Sequence, residues 1–160
     1  MSSVIFSESF MTIAAIILAV VFSSVVVVNI QQINNMQSIM TSTIKDKMET
    51  EVKIIFASTR DYEIHIYIKN TGINNIPFDL LGRGDLYFGL RGKEEYIPFN
   101  ASSYPTWTYN VINDIDKDGY LDPGETVELV IYVNYTLSSG DYHVKYVTYN
   151  GVTSDYYFST

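Results

Sequence analysis

The chain contains no cysteine, so it can build neither a disulfide framework nor a thiolate metal site. Basic residues are scarce: ten Lys and Arg against eighteen Asp and Glu leave a formal net charge of −8. Without a basic patch to neutralise phosphates, nucleic acid is excluded as a partner. There are only two histidines, His65 and His143, each inside an alternating run and without a third ligand near it in sequence. No P-loop, dinucleotide fingerprint, nucleophile elbow or HExxH pattern occurs, so nothing indicates an enzyme or a small-molecule substrate. Charge is missing altogether from Ser9 to Ile44.

That uncharged stretch holds the strongest signal in the chain. Phe10 to Ile30 reads FMTIAAIILAVVFSSVVVVNI, about 21 residues in which only Thr12, Ser23, Ser24 and Asn29 are polar. At ~1.5 Å per residue, such a helix crosses a hydrocarbon layer of ~30 Å. A cleavable secretory signal would carry a basic n-region and a shorter apolar run, and MSSVIFSES has neither Lys nor Arg. A core helix of a soluble protein is rarely apolar on every face for this length. The expectation is an anchor in a bilayer or filament core, with Phe10, Ile13, Ile16, Ile17, Leu18, Val21, Phe22, Val25 and Val28 facing lipid or neighbouring helices.

Glu8 stands at the edge of this run. It either sits hydrated at headgroup level or pairs with a positive group on a neighbouring subunit, the N-terminal amine being one candidate. Beyond Ile30 the apolar residues Ile33, Met36, Met40, Ile44 and Met48 recur at helical spacing, as a narrow stripe among Gln, Asn, Ser and Thr. The stripe suits a juxtamembrane stalk or a bundle contact. Lys45 and Lys47 flank Asp46, so charge does not set the membrane orientation.

From about Glu51 onward the pattern changes to period two, and all 14 tyrosines lie from Tyr62 onward. Ile64, Ile66 and Ile68 alternate with Glu63, His65, Tyr67 and Lys69, and Val127, Leu129, Ile131 and Val133 form one face of another run. Further runs cover 52–58, 85–90, 95–99, 106–112, 141–149 and 154–159, separated by Gly-, Asn- and Pro-containing turns. Asn150-Gly151 is a type I′ hairpin signal between the last two. The expected fold is a long N-terminal transmembrane α-helix (residues 1–48) followed by an all-β, immunoglobulin-like antiparallel sandwich (residues 49–160), a small barrel being the alternative. Two N-x-S/T sequons, at Asn100 and Asn134, agree with a domain outside the membrane. Gly82-Arg83-Gly84-Asp85 reads as a plain turn, and Trp107 as a core residue.

Half of the net charge is concentrated in one loop, where Asp114, Asp116, Asp118, Asp122 and Glu125 outweigh Lys117. The spacing matches a Ca²⁺ loop: carboxylates at positions 1, 3, 5, 9 and 12, Gly119 at 6 and the Tyr120 carbonyl at 7. The loop is either a Ca²⁺-stapled turn, using Asp114, Asp116, Asp118, Tyr120, Asp122 and Glu125, or a metal-free strand connection. No flanking helix pair is present, which excludes an EF-hand.

The segments SESFMTIAAIILAVVFSS, KIIFAS, YIKNTG, DLYFG, YIPFNAS, DPGETVEL and SSGDYHVKYVTYNGV resemble archaellum (archaeal flagellum) accessory proteins of the FlaG/FlaF type, closer to the G-type than to the F-type. The resemblance spans nearly the whole chain and extends to archaellins and archaeal type IV pilins. It implies a structural stator component of the archaellum motor, held in the cell membrane with its β domain outside the cell and self-assembling below the S-layer. It also implies an F-type archaellum protein as partner and, through it, the S-layer. The chain departs from the filament subunits in having no basic residue before the apolar run, where their signal is cleaved; that favours a fixed anchor. Two alternatives are an archaellin or archaeal type IV pilin subunit, and a membrane-tethered, Ca²⁺-dependent adhesion module.

Overall fold

A computed structural model describes residues 2–160, with side chains from Ser7 onward. Helix α1 runs from Ser2 to Glu49, uninterrupted by Gly or Pro. Its β-branched residues are indifferent helix formers in water, but in lipid every backbone polar group must be satisfied within the segment. The hydroxyls follow the same rule: Thr12 Oγ1 donates to the Glu8 carbonyl at 2.9 Å and Ser24 Oγ to that of Val21 at 2.8 Å. Every side chain of the expected anchor set is exposed on this helix.

The chain divides into two compact units, 1–44 and 45–160, so the last turn of α1 belongs with the β unit. That unit contains strands β1 (Val52–Arg60), β2 (Glu63–Asn70), β3 (Ile76–Pro77), β4 (Asp85–Leu90), β5 (Glu95–Ile97), β6 (Thr106–Asn113), β7 (Tyr120–Leu121), β8 (Thr126–Tyr132), β9 (Asp141–Val147) and β10 (Thr153–Ser159), and a short helix α2 (Phe78–Leu81). Two four-stranded antiparallel sheets, ordered β1-β2-β8-β6 and β10-β9-β4-β5, form the expected sandwich. β3 and β7 make a small third sheet. All eight runs of the alternating pattern are strands here. The two-residue strands and α2 are too short to show a period.

The core lies between the inner faces. Ile64, Ile66 and Ile68 from β2 meet Val127, Leu129 and Ile131 from β8 on one side, with Leu86, Phe88, Val144 and Tyr146 opposite. Each fully buried aliphatic side chain stabilises by about 1.5–3 kcal/mol. Trp107 is fully buried, with Phe99 and Tyr146 packed edge-on against it. Burial pushes the Tyr146 phenol far above its ordinary value, and its hydroxyl donates to the Leu81 carbonyl at 2.8 Å.

The β9–β10 connection differs from the expected two-residue turn. It spans residues 148–152, closed by Thr148 N–H to the Val152 carbonyl at 2.8 Å, with only Gly151 (φ 81°) in the left-handed region. The Asn150 side chain is drawn instead towards the end of α1.

Candidate functional site

The last turn of α1 is clasped by two loops of the β unit, residues 71–75 and 148–152. Asp46 Oδ2 accepts a hydrogen bond from Asn150 Nδ2 at 2.9 Å, and Oδ1 accepts one from Asn74 Nδ2 at 3.1 Å. The Tyr149 hydroxyl lies 3.3 and 3.4 Å from the two carboxylate oxygens. Burial, followed by the Asp46 charge, raises the Tyr149 phenol above its ordinary range. Buried Thr50 donates to the Asp46 carbonyl at 2.7 Å and accepts from Asn150 Nδ2 at 3.0 Å.

Backbone contacts complete the clasp. The Ile73 and Asn74 amides donate to the Glu49 carbonyl at 2.9 and 3.2 Å, and those of Thr71 and Gly72 to the Glu51 carbonyl at 2.9 Å each. Glu49 is among the last residues of the helix, whose carbonyls have no partner within it. Gly72 is required by closeness: a Cβ there would lie 2.4 Å from Glu51 N and 2.5 Å from the Glu49 carbonyl oxygen. Asn70, fully buried, holds the loop from below through Nδ2 to the Asn74 and Leu121 carbonyls, both at 2.8 Å.

Asn70 also joins the clasp to the acidic loop, since its amide donates to the Glu125 carbonyl and its carbonyl accepts from Gly124. In that loop Asp114, Asp116 and Asp118 place one carboxylate oxygen each within 4.8 Å of one another. Glu125 is turned inward: its carboxylate accepts the amides of Ile115 at 2.8 Å and Asp122 at 3.1 Å. Tyr120 begins β7 opposite Pro77. One oxygen of Asp122 is enclosed without a hydrogen-bond partner. Burial and then the charges of Asp118, Asp116, Glu125 and Asp114 push its carboxyl above the ordinary value. The all-oxygen donor set suits a hard divalent cation, with Asp114, Asp116 and Asp118 as the side chains grouped to hold it.

Each histidine lies on the outer face of a different sheet between two carboxylates. His65 Nδ1 is 2.9 Å from Glu128 and Nε2 is 3.3 Å from Glu63. His143 Nδ1 is 2.8 Å from Glu94 and Nε2 is 2.9 Å from Asp155, with the ring stacked on Tyr157. Only the doubly protonated ring can donate to both acids at once. The amides of Gly92 and Glu94, then His143, hold the Glu94 carboxyl at about 2. Burial opposes ionisation of Glu128, but hydrogen bonds from His65, Asn110 and Tyr67 outweigh it and keep that carboxyl below its ordinary value. The pairing of His65 with Glu63, two residues apart on one face, was within reach of the alternation; the other three partners come from neighbouring strands or loops.

Asn100 and Asn134 are exposed in loops, Asn100 in the left-handed region at φ 46°. Glu8 is exposed, while the N-terminal amine considered as its partner lies outside the described residues.

The family profile of archaeal-type flagellin matches residues 2–158, helix and sandwich together. The chain belongs to the archaeal-type flagellin family. This flagellin-family chain is 32% identical to the solved archaellum periplasmic stator protein FlaG from Sulfolobus acidocaldarius, with a TM-score of 0.59 over 68% of this chain and 99% of that one. It is 31% identical to a chain of the solved FlaF–FlaG stator complex of the same organism, with a TM-score of 0.58 over 68% and 89% of the two chains. An uncharacterized protein of Archaeoglobus fulgidus is 26% identical over 99% of both chains. These similarities support an archaellum-associated structural role. The one described helix long and apolar enough to cross a membrane is in keeping with membrane anchoring of a flagellin-family protein.

Proposed function

We propose that the chain is a non-catalytic stator component of the archaellum. The apolar segment of α1 anchors it in the cell membrane, its β unit stands outside the cell, and copies assemble below the S-layer to hold the motor static. The similarity to the FlaF–FlaG complex supports an F-type archaellum protein as partner, and through it a link to the S-layer. The observation that carries the reading is the clasp on the last turn of α1. A part that resists torque needs its anchor helix joined to its rigid domain by more than a flexible linker, and here side chains and backbone amides from two loops grip Asp46, Glu49 and Thr50.

The second reading, a subunit of the archaellum filament or of an archaeal type IV pilus, is favoured by the flagellin profile, which matches the helix as well as the sandwich. Deleting the gene and labelling the protein in cells separates the two. A stator predicts archaella that assemble but do not rotate, with label confined to their membrane end. Label along the whole length of the filament would overturn the stator reading in favour of the subunit. A Ca²⁺ ion on Asp114, Asp116 and Asp118 would serve either reading as a staple of the loop beside the clasp.

A further inference from the structure

The two outermost strands of the first sheet, β1 and β6, each carry one irregularity of register, and in each the extra residue is an isoleucine. In β1 it falls between Ile54 and Phe56, in β6 between Val111 and Asn113. Ile55 and Ile112 are 46% and 52% exposed, beside Phe56 at 52% and Val111 at 41%. An extra residue breaks the alternation and re-aims side chains, so each edge turns two consecutive apolar groups outward.

The two bulges flank one row of the sheet, from opposite sides of it. Ile54 pairs with Ile68, Ile68 with Val127, and Val127 with Val111. One row nearer the α1 end, Lys53 pairs with Lys69, Lys69 with Thr126, and Thr126 with Asn113, which Asp114 follows. One edge therefore sets an apolar pair beside Lys53, with Lys69 paired to it on the adjoining strand β2. The opposite edge sets an apolar pair beside Asp114, Asp116 and Asp118. Neither bulge leaves a regular ladder for strand addition, and the Ile54 amide is already committed to Ser154 Oγ at 2.8 Å. Side chains remain available for contact.

We propose that the β1 edge of one copy docks against the β6 edge of the next. Ile55 and Phe56 meet Val111 and Ile112, and Lys53 and Lys69 face Asp114 and Asp116. The proposal rests on the self-assembly reading above and specifies its interface. Different patches meet, so each copy keeps one open edge and addition continues into a filament or ring. Pairing like edges would instead set lysines against lysines or aspartates against aspartates.

The test uses the full chain in detergent micelles, followed by sedimentation velocity, with Trp107 emission as a check on folding. Wild type is expected to form polymers, and Phe56→Asp and Ile112→Asp each to remain unassembled. Mixed in equal amounts, the two variants should form dimers, because each retains one intact edge. Polymers from both single variants would overturn the edge pairing while leaving self-assembly intact. A wild type that never assembles would overturn the self-assembly reading itself. The cysteine-free chain permits a second measurement: Lys53→Cys mixed with Asp114→Cys should form an intermolecular disulfide that neither forms alone. Equal cross-linking within each variant alone would refute the heterologous contact.

Discussion

Replacing Asp46 with alanine removes the centre of the clasp while leaving the apolar anchor untouched. The change deletes hydrogen bonds from Asn150 at 2.9 Å and Asn74 at 3.1 Å, together with the longer contacts from Tyr149. A hydrogen bond to a charged group contributes about 1.5–3 kcal/mol when shielded, and partial exposure reduces that by roughly half. The expected loss is about 2–3 kcal/mol, because the donors on Asn74 and Asn150 regain water at the surface. For a unit spanning residues 45–160, this lowers Tm by about 6–15 °C. Trp107, the single tryptophan and fully buried, reports the melt of the full chain in detergent through its emission. Asp46→Asn, which keeps one acceptor oxygen, should lose about half as much. Amide exchange gives a local reading: Ile73 and Asn74, which donate to the Glu49 carbonyl, should lose protection before the core strands do. A D46A melt within about 1 °C of wild type, with those two amides still protected, would refute the clasp as a structural joint.

Other perturbations act on the same unit. Gly72→Ala drives a methyl into the backbone of Glu49 and Glu51 and should cost about 2–4 kcal/mol in urea unfolding; a neutral result would mean that the helix end is free to shift. The Glu94 carboxyl is held at about 2, so its stabilisation is present above the ordinary 4.5 and is lost as pH falls from 4.5 towards 2. Glu94→Gln should flatten that acid limb in a pH series of urea midpoints, and an unchanged slope would rule out the contribution. Ca²⁺ should raise the Tm of wild type but not that of Asp114→Asn/Asp116→Asn; no rise in wild type would leave the loop as a metal-free connection. Above pH ~10, unfolding should become easier, because the buried Tyr146 phenol is protonated in the folded state and ionises once exposed. Tyr146→Phe should weaken that alkaline dependence in the same urea series.

The anchor and all eight longer strands were legible in sequence because their signals are local. Twenty-one residues without charge identify a long apolar helix on their own, and the alternation of Ile64, Ile66 and Ile68 with polar neighbours fixes which face is buried. The two-residue strands and α2 are not legible because none is long enough to repeat its period. Asn150-Gly151 predicts a connection of the last two strands, which the structure has, and a two-residue turn, in whose place it has a loop over 148–152. Asn150 is held by Asp46, 104 residues earlier in the chain, and local turn chemistry carries no trace of that partner.

The sequence by itself therefore determined a long apolar helix, an alternating β domain and an acidic loop at defined spacing, because each depends on residues within a few positions of one another. Tertiary structure decided the rest. Glu125 faces the Ile115 and Asp122 amides, Glu128 and Asp155 reach the histidines, and the Ile55 and Ile112 bulges flank one row on opposite edges of one sheet. Those relations follow from strand order and register. A one-residue slip would move every side chain of a strand to the other face, so they exist only once the sandwich has closed.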